Sequence, residues 1–169
     1  KMITDMERIG DQADDIAELV RFCRLDDSEC RKDISAMSKA VSEMVKGSID
    51  AFVKKDIESA KAVIDSDDIV DDLFIKIKCD IIRMTAVDAN AGENAIDIVM
   101  TAKYLERIGD HAVGITKIGK ELHDKKTAFS PEAHKELEKI AEAVTEILNI
   151  TAECFRTGDL RLAGYVEPL

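Results

Sequence analysis

The chain has 169 residues, 46% hydrophobic and 35% charged, with 35 acidic against 24 basic side chains and a net charge of −11. That balance excludes a protein that grips nucleic-acid phosphates through clustered Lys and Arg, and it excludes passive adhesion to an anionic membrane. Two prolines, eight glycines and 4% aromatics exclude a long β-sandwich, which needs more turn residues and more aromatic packing.

In chain order, Ile3, Met6, Ile9, Ala13, Ile16 and Val20 recur at three- and four-residue steps, which predicts a helix from Lys1 to about Arg24. A break is expected near residues 25–32. Ile34, Met37, Val41, Met44, Val45, Ile49 and Phe52 mark the apolar face of the next helix. Lys54-Lys55 followed by Asp56 reads as a helix end and then an N-cap. A third helix to about Met84 carries Ala60, Val63, Ile64, Ile69, Leu73, Ile77 and Ile81. Small residues from Thr85 to Gly92 form a turn. Ala95, Ile98, Val99, Ala102, Leu105, Ile108, Ala112 and Ile115 line a fourth helix. After a break near 120–130, Ser130-Pro131-Glu132 combines an N-cap, proline at the first position and an early acid, a strong helix start. Nothing reads as a strand.

Cys23, Cys30, Cys79 and Cys154 are scattered and form no C-x-x-C pair, so the expectation is reduced cysteines in a cytoplasmic protein. No apolar run approaches the roughly 20 residues of a membrane span.

The chain repeats itself. Glu7-Arg8-Ile9-Gly10-Asp11 returns as Glu106-Arg107-Ile108-Gly109-Asp110, an offset of 106 minus 7, or 99. A sparser match at offset 103 pairs Val41 with Val144, Glu43 with Glu146, Phe52 with Phe155 and Asp56 with Asp159. The implied unit of about a hundred residues holds three antiparallel helices, A, B and C, packed as a bundle. The chain then runs C, A, B, C, A: residues 1–27 are the last helix of a first repeat, 33–119 a complete repeat, and 130–169 the first helix of a further one. The fold class is all-α, repeated three-helix bundles cut open at both ends.

Acid pairs four residues apart are the chemical signal: Glu7/Asp11, Asp67/Asp71 and Glu106/Asp110. Such residues share one helix face, where like charges repel by roughly 0.2–0.5 kcal/mol per pair. A bound cation reverses that sign, and oxygen-only donors suit Mg, Mn or iron. One pair is too few for an ion that prefers six ligands, so two clamps from neighbouring helices are required. Glu106/Asp110 with Asp67/Asp71 is the stronger candidate, because the first unit has no B helix here; Glu7/Asp11 facing the Asp67/Asp71 segment or a counterpart pair is the other arrangement. The glycine inside each pentad, Gly10 and Gly109, costs roughly 1 kcal/mol of helix propensity against Ala and would let another helix or a ligand approach. The plainer reading of every pair is a solvated acidic helix face, neutralised by Arg8 or Arg107. His111, beside Asp110, reads as exposed, or as a supporting partner to a bound ion. No Glu-x-x-His pair of a di-iron oxidase bundle occurs.

Glu-Arg-Ile-Gly-Asp followed by Gln-Ala or His-Ala, and Val63 followed by Asp67-Asp68 and Asp71, resemble the signature of the PhoU family. The resemblance implies a twofold repeat of three-helix bundles, with E(D)xxxD motifs that bind metal ions, as multinuclear iron clusters in some members. By position, the implied ligands are Glu7, Asp11, Asp67, Asp71, Glu106 and Asp110. The implied cofactors are metal ions, iron first, with Mg, Mn or Zn as alternatives. The implied role is non-enzymatic regulation of phosphate uptake and phosphate-starvation signalling. The implied partners are a sensor histidine kinase and phosphate ABC transporter subunits; membrane association comes only through them, nucleic acid is not expected, and a homodimer is compatible. After Gly119 the chain departs from a two-unit member. The segment Phe129 to Leu169, ending Val166-Glu167-Pro168-Leu169, is similar to the cytosolic PhoU-like domain of sodium/phosphate cotransporters, the alternative reading. A carboxylate-bridged metal enzyme is the second alternative.

Overall fold

The computed structural model describes residues 2–20, 28–54, 56–124, 131–157 and 159–163. Helix α1 spans Met2–Val20, α2 Ser28–Lys54, α3 Ile57–Val87, α4 Gly92–Asp124, α5 Pro131–Thr157 and α6 Leu160–Ala163, with a 3₁₀ turn at Ala89–Ala91. The described residues contain no strand, so the all-helical reading is borne out. None of their helices is long and apolar enough to cross a membrane.

Helices α2, α3 and α4 pack pairwise into a three-helix bundle. Helix α1 lies against α4 and α5, and α5 lies against α1 and α2. The result is a second layer across the α2–α4 face, while α3 touches neither α1 nor α5 among the described residues. The core runs through both layers. Ile9 and Ile16 of α1, Ile34, Met37 and Val41 of α2, Val70 and Ile77 of α3, and Ala102, Ile108 and Ile115 of α4 are all sealed from solvent.

Local chemistry sets the boundaries. Asp56 caps α3: its side chain accepts from the Glu58 and Ser59 amides at 3.0 and 3.3 Å and from the Ser59 hydroxyl at 2.6 Å. These bonds, with the Ser59 hydroxyl foremost, hold the Asp56 carboxyl below its usual range. The expected turn at 85–92 is shorter in the structure. Helix α3 continues to Val87, where the Asp88 amide closes it onto the Met84 carbonyl at 3.0 Å, and the Asp88 side chain accepts from the Asn90 amide at 2.9 Å. One aspartate thus ends one helix and starts the next turn. Helix α2 begins at Ser28, earlier than expected, and α4 persists to Asp124. Pro131 opens α5; Ser130, the rest of the expected breaks, and the tail beyond 163 lie outside the described residues. Cys30 is buried and Cys79 exposed, and neither is in a disulfide; Cys23 lies outside the described residues.

Three expected core positions are corrected. Ile64 and Ile69 of α3 are 36% and 56% exposed, whereas Val70 is fully buried. The buried seam of α3 is Val63, Val70 and Ile77, spaced by seven, with Ala60 and Ile81. At about 100° per residue, Ile64 and Ile69 each fall a step outside that seam. Ile3 of α1 is also exposed.

The glycines divide by position. A Cβ at Gly47 would sit 2.9 Å from Val63 Cγ2, so the α2–α3 crossing depends on the missing side chain. A Cβ at Gly10 meets nothing within 4 Å. Gly47→Val is therefore expected to cost about 1–3 kcal/mol by overpacking, while Gly10→Ala should stabilise by up to about 1 kcal/mol. Urea denaturation of the two variants checks both signs.

Candidate functional site

The short turn between α3 and α4 makes them antiparallel neighbours, and this brings the acid pair of one helix opposite that of the other. Asp67 and Asp71 come from α3, Glu106 and Asp110 from α4. Asp67 and Glu106 are half-buried, Asp71 and Asp110 exposed. Burial pushes the Asp67 carboxyl above its ordinary value, and the charges of Asp110 and Asp71 add to the shift, against Lys117. Asp110 is exposed as a residue, but its carboxyl is partly desolvated, and this pushes it up as well, helped by Glu106 and Asp71 and opposed by Lys103 and His111. The four carboxyls therefore share one electrostatic neighbourhood.

Gly109 lies beneath this groove. A Cβ there would meet Met44 Cε and Val70 Cγ1 at 3.6 Å and Asp67 Oδ1 at 3.7 Å, ordinary contact distances. So Gly109 accepts neighbours from both α2 and α3, yet its lack of a side chain is not what permits the approach. Glu106 turns along its own helix to Lys103, with Nζ to Oε2 at 2.5 Å. The Lys103 ammonium also stands 5.4 Å from the Phe74 ring centre, flanked on the same ring by Lys78 at the same distance. Among the described residues no three His, Cys, Asp or Glu side chains stand close enough together to hold a metal ion. The donor chemistry is still that of a hard cation: four carboxylates and no nitrogen or sulfur, which fits Mg, Mn or iron and fits zinc least.

Glu7 and Asp11 stand elsewhere. Both are exposed on α1, which among the described residues does not touch α3, so they do not face Asp67 and Asp71. Asp11 instead shares a cavity of about 420 Å³ with Asp110, between α1 and α4, together with Arg8, Arg107, Tyr104 and His111. The two pentads thus meet across the layer boundary.

His111 is not exposed, contrary to expectation: its side chain is 17% accessible, and Nδ1 lies 3.1 Å from Asp5 Oδ1. Asp5 rests over Gly114, with Oδ2 3.6 Å from where a Cβ would be. Sequence reasoning missed Asp5, Gln12, Asp15 and Tyr104. The offset of 99 did carry a signal, since it superposes Gln12 on His111 and Tyr104 on Asp5. A second missed link ties the bundle: Lys76 Nζ meets Asp33 Oδ1 at 2.6 Å, joining the start of α2 to α3.

A family model described as the PhoU domain matches residues 34–119, which takes in most of α2, all of α3 and most of α4. Among curated proteins, the phosphate-specific transport system accessory protein PhoU homolog of Clostridium acetobutylicum is 34% identical over 118 residues, covering 68% of this chain and 53% of the relative. The Aquifex aeolicus homolog is 34% identical over 110 residues, covering 63% and 49%. Homolog 1 of Thermotoga maritima is 31% identical over 114 residues, covering 66% and 49%. The chain spans about half the length of these relatives. No solved structure matches. With more than half of its residues matched by the family model, across most of the α2–α4 bundle, the chain belongs to the PhoU family.

Proposed function

We propose that the chain is part of an accessory regulator of phosphate uptake and phosphate-starvation signalling, working in the cytoplasm by protein contacts and not by catalysis. The relatives' names describe accessory proteins of phosphate-specific transport, which supports the role. The observation that carries the mechanism is the meeting of Asp67/Asp71 with Glu106/Asp110, where burial, aided by their mutual charges, raises the Asp67 and Asp110 carboxyls. On this reading the four carboxylates bind a hard cation, iron, manganese or magnesium, with Glu7 and Asp11 offering a further acidic pair on α1. The bound ion would offset their repulsion and lock α3 to α4, and this fixes the surface offered to a sensor histidine kinase or a phosphate ABC transporter subunit.

Co-purification tests the role. The chain should capture the cytosolic region of the phosphate-responsive sensor kinase or the transporter's ATPase subunit from its own organism, and Asp67→Asn/Asp110→Asn should weaken capture at least tenfold. It should not bind duplex DNA at submicromolar concentration, given its charge of −11. Failure to capture either partner, or salt-sensitive DNA binding, contradicts the reading.

A further inference from the structure

The cavity between α1 and α4 is separate from the acidic groove of α3 and α4, although Asp110 borders both. Its volume, about 420 Å³, is in the range of small-molecule sites. Its walls come from equivalent positions of the two repeats: Arg8 with Arg107, Asp11 with Asp110, and Gln12 with His111. Two guanidinium groups thus approach one space from opposite helices.

Neither guanidinium is in an ion pair among the described residues, although Asp11, Asp15 and Asp110 line the same cavity. Two arginine forks on one cavity match the oxygens of a tetrahedral anion. Gln12 contributes a buried amide oxygen with no hydrogen-bond partner among the described residues, an acceptor in want of a donor. His111 is fixed by Asp5 through Nδ1, so its other nitrogen is the one left for a ligand.

The carboxylates narrow the ligand further. They outnumber the arginines by one, so the cavity does not attract anions in general. A carboxylate only accepts hydrogen bonds. An anion admitted here must therefore offer donors to the aspartates and Gln12 while it offers oxygens to the arginines. Phosphate at neutral pH retains a P–OH, and a phosphorylated sugar adds hydroxyls. Sulfate has no such donor. We infer that the cavity between α1 and α4, framed by Arg8 and Arg107 with Asp11, Asp15 and Gln12, binds a phosphate group that carries hydroxyl donors and rejects sulfate. The two sources of that chemistry are free phosphate and a phosphorylated sugar.

Isothermal titration calorimetry on the full chain tests this with sodium phosphate, ribose 5-phosphate and sodium sulfate, at one ionic strength and with EDTA present. The chelator makes the result independent of the cation proposed for the α3–α4 groove. Saturable binding of phosphate or ribose 5-phosphate is expected, with sulfate at least tenfold weaker. Arg8→Gln and Arg107→Gln should each weaken it at least tenfold. Arg107→Lys, which keeps the charge and loses the fork, should also weaken it, whereas the distant, exposed Arg83→Gln should not. Binding of the ester alone assigns the site to a phosphorylated metabolite, and binding of both probes assigns it to the phosphate group itself. No saturable binding, sulfate binding equal to phosphate, or affinity that survives both arginine substitutions overturns the inference.

Discussion

Replacing Ile108 with alanine should cost about 2–5 kcal/mol and lower the unfolding midpoint by roughly 5–20 °C. Ile108 is the central residue of the second pentad and is fully buried. It sits on α4, which among the described residues packs against α1, α2 and α3 together, so the void left by truncation is walled on all sides and cannot easily close. The neighbouring Arg107 is exposed, and Arg107→Ala should stay within about 0.5 kcal/mol. The contrast separates the packing role of the pentad's isoleucine from its polar residues, to which the proposals above assign ligand binding. Chemical denaturation measures both. A loss below about 1 kcal/mol for Ile108→Ala would contradict the packing described.

Adding manganese or magnesium to chelator-treated protein should raise its unfolding midpoint by about 5–10 °C once the metal exceeds its dissociation constant a hundredfold. The same addition should leave Asp67→Asn/Asp110→Asn unchanged. In chelator the order reverses: the double variant should be the more stable protein near neutral pH, by an amount of order the 0.2–0.5 kcal/mol of like-charge helix pairs. The pH dependence follows from the raised carboxyls of Asp67 and Asp110. A group whose folded pKa lies above its unfolded value favours the folded state when protonated. Its contribution is complete below the ordinary value of 3.8 and is lost as the pH rises through the folded value. The advantage of the double variant should therefore shrink as the pH falls into the carboxylate range. Calorimetric melts from about pH 3 to pH 8, which start below the ordinary carboxylate value and end well above it, check the sign. An advantage that grows on acidification would contradict it.

Much of this architecture is legible in the sequence. The pentads place Ile9 and Ile108 in the core because each falls on its helix's apolar stripe. The cap at Asp56 is readable because two lysines and an aspartate interrupt an apolar period. The convergence of Asp67/Asp71 with Glu106/Asp110 follows from pairs four apart on two helices joined by a short turn. The phase of α3 is harder. Isoleucine stands at 57, 64, 69, 75 and 82, all of it exposed, as well as at the buried positions 77 and 81, so apolar residues surround the helix and conceal which face is inward. The Asp5–His111 contact joins residues 106 apart in sequence. No local period encodes such a contact; it arises because α1 lies on α4. The close crossing at Gly47 is equally hidden, since a lone glycine within a helix does not say what stands above it.

Whether the α3–α4 acids form a cation site decides the mechanism proposed for this protein. Metal content by elemental analysis, together with titration of manganese into chelator-treated protein, measures this directly for the wild type, Asp67→Asn/Asp110→Asn and Glu7→Gln/Asp11→Asn. The expected result is saturable binding by the wild type, retention in the Glu7/Asp11 variant for the α3–α4 site, and loss in the Asp67/Asp110 variant. Equal binding by all three proteins, or none by the wild type with manganese, magnesium or iron, would contradict the cation site and leave these carboxylates as a solvated face of a helical bundle.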